Sequence, residues 1–167
     1  LTLLSMLCTP IANAQDSGRI LIFSKTAKFR HDAIPTAVQT LKAMAEEQGL
    51  QAETSEDATQ FNDGNLARYR AVVFTSTTGD VLDDNEQAAF ERYIRNGGGY
   101  MGVHAAADTE YDWAWYGRLV GAWFRNHPPG LQTTRIQPER NNLASGTAWS
   151  VRDELYNYRD NPRPRVQ

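Results

Sequence analysis

Residues 19–24 have the sequence RILIFS, a short and nearly continuous apolar run. Runs of this kind are typical of strands that are buried on both faces of a parallel sheet. Two later segments share the pattern, AVVFTST at residues 71–77 and YMGVH at residues 100–104. These three segments predict the central strands of one sheet.

Helical patterns lie between those strands. Apolar residues recur at helical spacing over residues 34–45, and Gly49 ends that segment. A capping-box pattern at Asp83 and Glu86 predicts the start of another helix. With a weak strand at residues 50–54, strands and helices alternate along the chain. This order predicts an α/β fold with a doubly wound parallel sheet.

The pattern weakens after Asp112. Residues 113–124 are predicted to be helical and strongly aromatic, and residues 131–137 and 153–158 are predicted to form strands. In doubly wound sheets, ligands bind beyond the carboxyl ends of the strands. The loops at residues 24–32, 77–80 and 104–112 are therefore the predicted binding region.

Composition limits the classes of function. The chain has 167 residues, of which 41% are hydrophobic and 22% are charged. These values suit one soluble domain with one core. The formal net charge of −3 gives no basic surface for nucleic acid, so we expect no nucleic-acid partner. The apolar runs are too short to span a bilayer, so we expect no membrane span.

The first residues differ from the rest of the chain. Residues 1–11 are mostly apolar, and Ala12-Asn13-Ala14 has the small-x-small pattern of a signal cleavage site. We interpret residues 1–14 as part of a signal peptide and predict a periplasmic or secreted protein. The alternative is a first strand or helix of the domain. The one cysteine, Cys8, lies in this segment, so residues 15–167 contain no thiol.

The chain has three histidines. His31 follows the first predicted strand and His104 ends the fourth, so both are expected at the carboxyl edge of the sheet. The pattern does not fix the position of His127. An imidazole with a pKa near 6.5 can both accept and donate protons at neutral pH, which makes these histidines candidate site residues. Each could instead be a structural or surface residue.

Asp108 follows His104 by four residues. On a helical turn the two side chains would share a face, so Asp108 is predicted to orient His104. The same pair could bind a metal together with His31 or His127, or Asp108 could cap a helix. Because this spacing is common, we assign no metal ligand.

Aromatic residues are concentrated between residues 111 and 124. Aromatic faces stack on the apolar faces of sugar rings, and the alternative is a core helix packed on the sheet. Tyr111 and Trp113 lie nearest the predicted loop, so they are the candidates for contact with a ligand.

Four blocks resemble ThuA-like domains, the family of trehalose utilisation. They are KTAKFRHDAI (residues 25–34), FTSTTGDVL (74–82), GGGYMGVHAAADTEYDWAWYGRLVGAWFRNHP (97–128) and DELYNYRDNPR (153–163). The resemblance implies a flavodoxin-like sheet shared with class I glutamine amidotransferases. Family domains usually continue further, so residues 15–167 are expected to form a ThuA-like domain that is incomplete at its C-terminus.

The resemblance also bears on the chemistry. Class I amidotransferases carry a nucleophilic cysteine on a sharp turn after a strand, and the comparable stretch here, residues 102–106, has His104 at that position. Glutamine hydrolysis by a thiolate is therefore not expected. The family's association with disaccharides and keto-sugars implies a small-molecule carbohydrate as the ligand.

The leading hypothesis is a role in carbohydrate metabolism, in which His104 is a general acid/base and His31 and Asp108 are its partner and orienter. Contacts with the substrate are assigned to Arg30, Asp80, Tyr111, Asp112, Trp113 and His127. The alternatives are a non-catalytic sugar-binding module and a metal-dependent hydrolase or isomerase. No cofactor is identified. Because there is no dinucleotide fingerprint, sugar oxidation would require a separate dehydrogenase as partner.

Overall fold

The computed structural model describes residues 18–138 and 146–165. The strands are β1 (Arg19–Phe23), β2 (Gln51–Ser55), β3 (Ala71–Thr75), β4 (Gly99–Val103), β5 (Phe124–Asn126), β6 (Gln132–Ile136), β7 (Trp149–Asp153) and β8 (Asn157–Tyr158). The α-helices are α1 (Ile34–Glu47), α2 (Asp63–Leu66), α3 (Asp84–Arg95) and α4 (Ala114–Val120). Short 3₁₀ turns occupy Ala58–Gln60, His104–Asp108 and Arg163–Arg165. The predicted signal peptide at residues 1–14 lies outside the described residues.

The main sheet has four parallel strands in the order β2-β1-β3-β4. This order is that of a flavodoxin-like sheet, so the predicted α/β doubly wound fold is confirmed. The register aligns the carboxyl ends, since Phe23 pairs with Phe74 and Thr75 pairs with Val103. The segments that follow β1, β3 and β4 therefore leave the sheet at one edge.

The second half of the chain differs from the sequence prediction. Helix α4 is shorter than the predicted helix at residues 113–124, because Gly121 adopts a φ of +90° and β5 follows. The predicted strand at residues 153–158 is wrong in detail. Asp153 ends β7 and Asn157 begins β8, and each strand pairs antiparallel with a different partner. Residues 154–156 form the connection between them.

An aromatic cluster forms the core on one face of the sheet. Phe74 lies at its centre, with its ring centroid 5.4 Å from that of Phe90 and 5.7 Å from that of Tyr116. Trp113 packs on the same cluster, since its ring stacks on Trp115 at 4.9 Å and on Tyr116 at 5.9 Å. Trp113, which directly precedes α4, therefore packs against the core, as the alternative considered for these aromatic residues predicted.

A buried carboxylate joins two of the edge loops. Glu110 is 1% exposed, and its Oε1 accepts hydrogen bonds from the backbone N–H groups of Val81 and Leu82. Its Oε2 accepts a hydrogen bond from the side-chain amide of Gln87. Burial raises the pKa of Glu110, and the three donors oppose that rise. Glu110 thus fixes the loop after the His104–Asp108 turn to the loop that precedes α3.

Within the described residues, no helix combines the length and apolar character that crossing a membrane requires.

We expect Glu110→Ala to lower the free energy of unfolding by about 3 kcal/mol, because it leaves buried donors unpaired. Glu91→Ala is the matched control. It removes only a surface pair with Arg95, so it should cost about 0.5 kcal/mol. Urea unfolding measures both changes. Equal losses in the two variants would show that the buried carboxylate holds no loop.

Glu110 should also make stability depend on pH. Because its pKa is raised in the folded state, its contribution to the free energy of unfolding is greatest at low pH. That contribution is lost as the pH rises through the folded-state pKa. Glu110→Gln should remove this pH dependence while it keeps an acceptor for the backbone donors, and urea unfolding at a series of pH values measures the effect. A pH profile identical to that of the wild type would contradict the assignment.

Candidate functional site

His104 lies on a sharp turn at the carboxyl end of β4. Its φ is +52°, in the left-handed region that residues other than glycine seldom adopt. The turn packs closely on the strand behind it. A Cβ atom at Gly102 would lie 3.1 Å from the Cβ of Ala106, closer than ordinary packing allows. Small residues at positions 102 and 106 therefore permit this close turn.

His31 lies beside His104. It follows β1 in the loop that precedes α1, and the two imidazole centroids are 4.8 Å apart with the rings edge to face. Phe29 packs on the other side of His31 at 4.8 Å. The structure thus brings together the two histidines that the sequence places at the ends of β1 and β4.

A carboxylate that the sequence analysis did not identify lies among the three histidines. One oxygen of Glu154, Oε2, is 3.5 Å from Nε2 of His31 and 4.0 Å from Nε2 of His104. Its other oxygen, Oε1, is 3.8 Å from Nε2 of His127. The sequence signal was its place in the DELYNYRDNPR block, but the predicted strand gave no reason to select it.

Tyr156 was missed for the same reason. Its hydroxyl oxygen is 3.1 Å from Nδ1 of His104 and 3.4 Å from Nε2 of His31. The tyrosine ring packs on Phe124 at 4.3 Å and stacks on His127 at 6.0 Å. We call the set of His31, His104, His127, Glu154 and Tyr156 the histidine cluster.

Asp108 has a different partner from the predicted one. It accepts a hydrogen bond from the hydroxyl of Tyr111, whose oxygen also lies 3.1 Å from the carbonyl oxygen of Phe124. The carboxylates that face His104 Nε2 are those of Asp153, at 3.6 Å, and Glu154. Asp108 still acts on the cluster through its charge, which raises the pKa of His31.

The other predicted contact residues are dispersed. Arg30 makes a two-bond salt bridge with Glu56 and lines a separate cavity against α1. Asp80 and Asp112 are exposed loop residues, and Trp113 is partly buried and packs against the aromatic core. The ring of Tyr111 has the cations of Lys28 and Arg159 against it.

A cavity of about 470 Å³ opens beside the histidine cluster. Three members of the cluster line it, namely His104, Glu154 and Tyr156. The rest of the lining includes Ala106, Val120 and Tyr158. The volume lies in the range of small-molecule sites, and the mixture of apolar wall and few polar groups is typical of them.

The environment of His31 favours its neutral form. Burial is the main cause of its lowered pKa, and the positive charge of protonated His104 lowers it further. The charge and hydrogen bond of Glu154 oppose this shift. Burial also raises the pKa of Tyr156, so its hydroxyl keeps its proton. The cluster combines imidazoles, a carboxylate and a phenol, groups that can bind and release protons beside the cavity.

Comparisons with known proteins agree with this fold. A family model described as ThuA, trehalose utilisation, matches residues 19–167. A solved structure from Bacteroides uniformis ATCC 8492, assigned as ThuA-like, has a TM-score of 0.69 and 21% identity and covers 93% of this chain and 67% of its own. Another from Parabacteroides merdae ATCC 43184, also assigned as ThuA-like, has a TM-score of 0.60 and 19% identity and covers 83% and 62%. This chain thus spans about two thirds of their length. No curated protein matches.

The pKa of His31 gives a direct test of the cluster. Glu154→Gln removes a charge that raises this pKa, so we expect the pKa to fall further. His104→Ala removes a charge that lowers it and exposes the ring, so we expect the pKa to rise. Glu56→Gln, the same chemical change at the Arg30 salt bridge, serves as the control and should have no effect. NMR titration of the imidazole resonances measures all three, and an unchanged pKa in Glu154→Gln would contradict the geometry.

Proposed function

We propose that this chain, which belongs to the ThuA family of trehalose utilisation, transfers protons to and from a carbohydrate bound at the histidine cluster. The observation that carries the proposal is the convergence of three imidazoles on the carboxylate of Glu154 at the wall of a cavity. His104 would contact the substrate as general acid/base. Glu154 would be the carboxylate that acts together with His104, a role that the sequence analysis assigned to Asp108.

The shape of the cavity supports a sugar as the ligand. Its volume of about 470 Å³ leaves room for at least one sugar ring, and Tyr156 and Tyr158 offer aromatic surface to the ring faces. The polar groups on the wall could hold hydroxyls. His127, which lies against both Glu154 and Tyr156, remains a proposed substrate contact.

A thiolate mechanism does not suit this site. The position after β4, where an amidotransferase would carry its cysteine, is occupied by His104, whose left-handed φ matches the sharp turn expected there. If the physiological substrate is an oxidised sugar, we propose that a separate dehydrogenase supplies it. The sequence pattern of residues 1–14 supports a periplasmic or secreted location for this activity.

A metal-dependent reaction is the second candidate, because His31, His104 and Glu154 each offer a ligand atom within 4.8 Å of the others. Ligand atoms around a tetrahedral zinc at about 2.1 Å lie roughly 3.4 Å apart, so the widest pair would have to close by up to roughly 1.4 Å. Metal-bound histidines usually donate their other ring N–H to a partner. Tyr156 could serve His104 in this way, but among the described residues Nδ1 of His31 has no hydrogen-bond partner.

His104→Ala should reduce turnover of a disaccharide or a keto-disaccharide by about 10²- to 10⁴-fold, because it removes the proton-transfer group. Arg92→Ala, which removes a surface salt bridge on α3, is the control and should retain full turnover. Unchanged turnover in His104→Ala would refute the catalytic role. Calorimetric binding of the disaccharide without any product would instead favour the sugar-binding module.

The two chemical candidates differ in their need for a metal. If the cluster acts by proton transfer alone, turnover should survive treatment with a chelator, and elemental analysis of protein purified without a polyhistidine tag should find no stoichiometric metal. The metal candidate predicts one zinc, nickel or manganese ion per chain and its loss in Glu154→Gln. A stoichiometric ion whose removal abolishes turnover would replace the first candidate with the second.

A further inference from the structure

The hydroxyl of Tyr156 lies between two imidazole nitrogens but has only one proton to donate. Its oxygen is 3.1 Å from Nδ1 of His104 and 3.4 Å from Nε2 of His31. It can therefore donate to one nitrogen and must accept from the other, or leave it unpaired. The direction of these two bonds fixes where each histidine carries its proton.

Glu154 determines the direction of the hydrogen bond between Tyr156 and His31. Its Oε2 is 3.5 Å from Nε2 of His31, and a carboxylate oxygen facing a nitrogen at this distance favours an N–H on that nitrogen. With the proton on Nε2, His31 directs it toward Glu154 and the oxygen of Tyr156. The hydroxyl proton of Tyr156 is then not needed by His31. Of its two other partners, Glu154 already faces the N–H of His31, and His104 is the nearer imidazole, so the proton goes to His104.

The other nitrogen of His31 agrees with this assignment. Nδ1 is buried, and it has no hydrogen-bond partner among the residues that the structure describes. With the proton on Nε2, Nδ1 carries only a lone pair. Buried N–H groups without an acceptor are rarer in proteins than acceptors without a donor.

We propose that Tyr156 is a positioning residue that donates its hydroxyl proton to Nδ1 of His104 and thereby holds neutral His104 with its proton on Nε2. His104 then faces the cavity as a hydrogen-bond donor, and the carboxylate of Glu154 is left as the proton acceptor. This division of roles rests on the proposed function, whereas the protonation pattern itself does not.

The geometry at Nε2 of His104 suits such a donor. The nearest carboxylate oxygens in the described part of the chain are Asp153 Oδ1 at 3.6 Å and Glu154 Oε2 at 4.0 Å, both beyond the usual hydrogen-bond length of about 3.0 Å. The proton on Nε2 is therefore not committed to either carboxylate. A sugar oxygen beside these atoms could accept a hydrogen bond from His104 and, as a hydroxyl, donate its own to Glu154.

NMR of ¹⁵N-labelled protein tests the protonation pattern without any substrate. At about pH 8.5, where imidazoles with ordinary pKa values are neutral, protonated and unprotonated ring nitrogens have well-separated ¹⁵N shifts. We expect Nε2 of His104 to be protonated and Nδ1 to show the shift of a hydrogen-bonded acceptor. In Tyr156→Phe, which keeps the ring, the Nδ1 shift should move to that of a free acceptor or the Nδ1–H form should appear. A proton on Nδ1 of His104 in the wild type would overturn the proposal.

Tyr158→Phe is the matched control, because Tyr158 also lines the cavity but no hydrogen bond joins it to His104. Its His104 shifts should equal those of the wild type. With a carbohydrate substrate, kcat of Tyr156→Phe should fall by about tenfold or more while KM changes less. If His104→Ala retains turnover, the proposed function fails although the protonation pattern stands. If His104 carries its proton on Nδ1, the pattern fails whatever the turnover.

Discussion

The left-handed backbone at His104 is the constraint on which the site depends. His104 follows β4 directly with a φ of +52°, and its side chain lines the cavity. This conformation costs of order 1 kcal/mol or more and persists only where the surroundings impose it. Here the surroundings are the alanines of the 3₁₀ turn, which are buried, and Gly102, which has no Cβ atom and so leaves space for them.

The parts of the site that the sequence predicts are those that depend on regular structure. His31 and His104 follow from the alternation of strands and helices, because aligned parallel strands deliver their next residues to one edge. The predicted pairing of Asp108 with His104 differs from the structure for a geometric reason. Residues four apart share a face on an α-helix, but His104–Asp108 is a 3₁₀ turn with three residues per turn, so the fourth residue points elsewhere. The sequence left two roles open for Trp113, because an aromatic residue next to a loop can pack in a core or contact a ligand, and the structure packs it against the core cluster.

Glu154 and Tyr156 were not predictable because they lie in a segment where the apolar residues show neither helical nor strand spacing. They belong to the three residues between β7 and β8, and those strands pair with β6 and β5 in two separate two-stranded sheets. Neither the spacing of apolar residues nor any turn pattern shows that this connection passes over the edge of the parallel sheet. Only the long-range contacts of Tyr156 with His31 and His104 reveal it.

Because Glu154 and Tyr156 come from this connection, the charges and hydrogen bonds around the two histidines depend on tertiary packing. The ends of β1 and β4 place two imidazoles side by side, and the positive charge of protonated His104 lowers the pKa of His31. The connection between β7 and β8 adds one carboxylate and one phenol, which lie between the same rings. The carboxylate opposes the effects of burial and of His104 on His31, and the phenol gives the two rings a shared hydrogen-bond partner. The proton transfer that we propose for the cluster therefore depends on the packing of the irregular half of the chain on the regular half, because each half supplies only some of the groups.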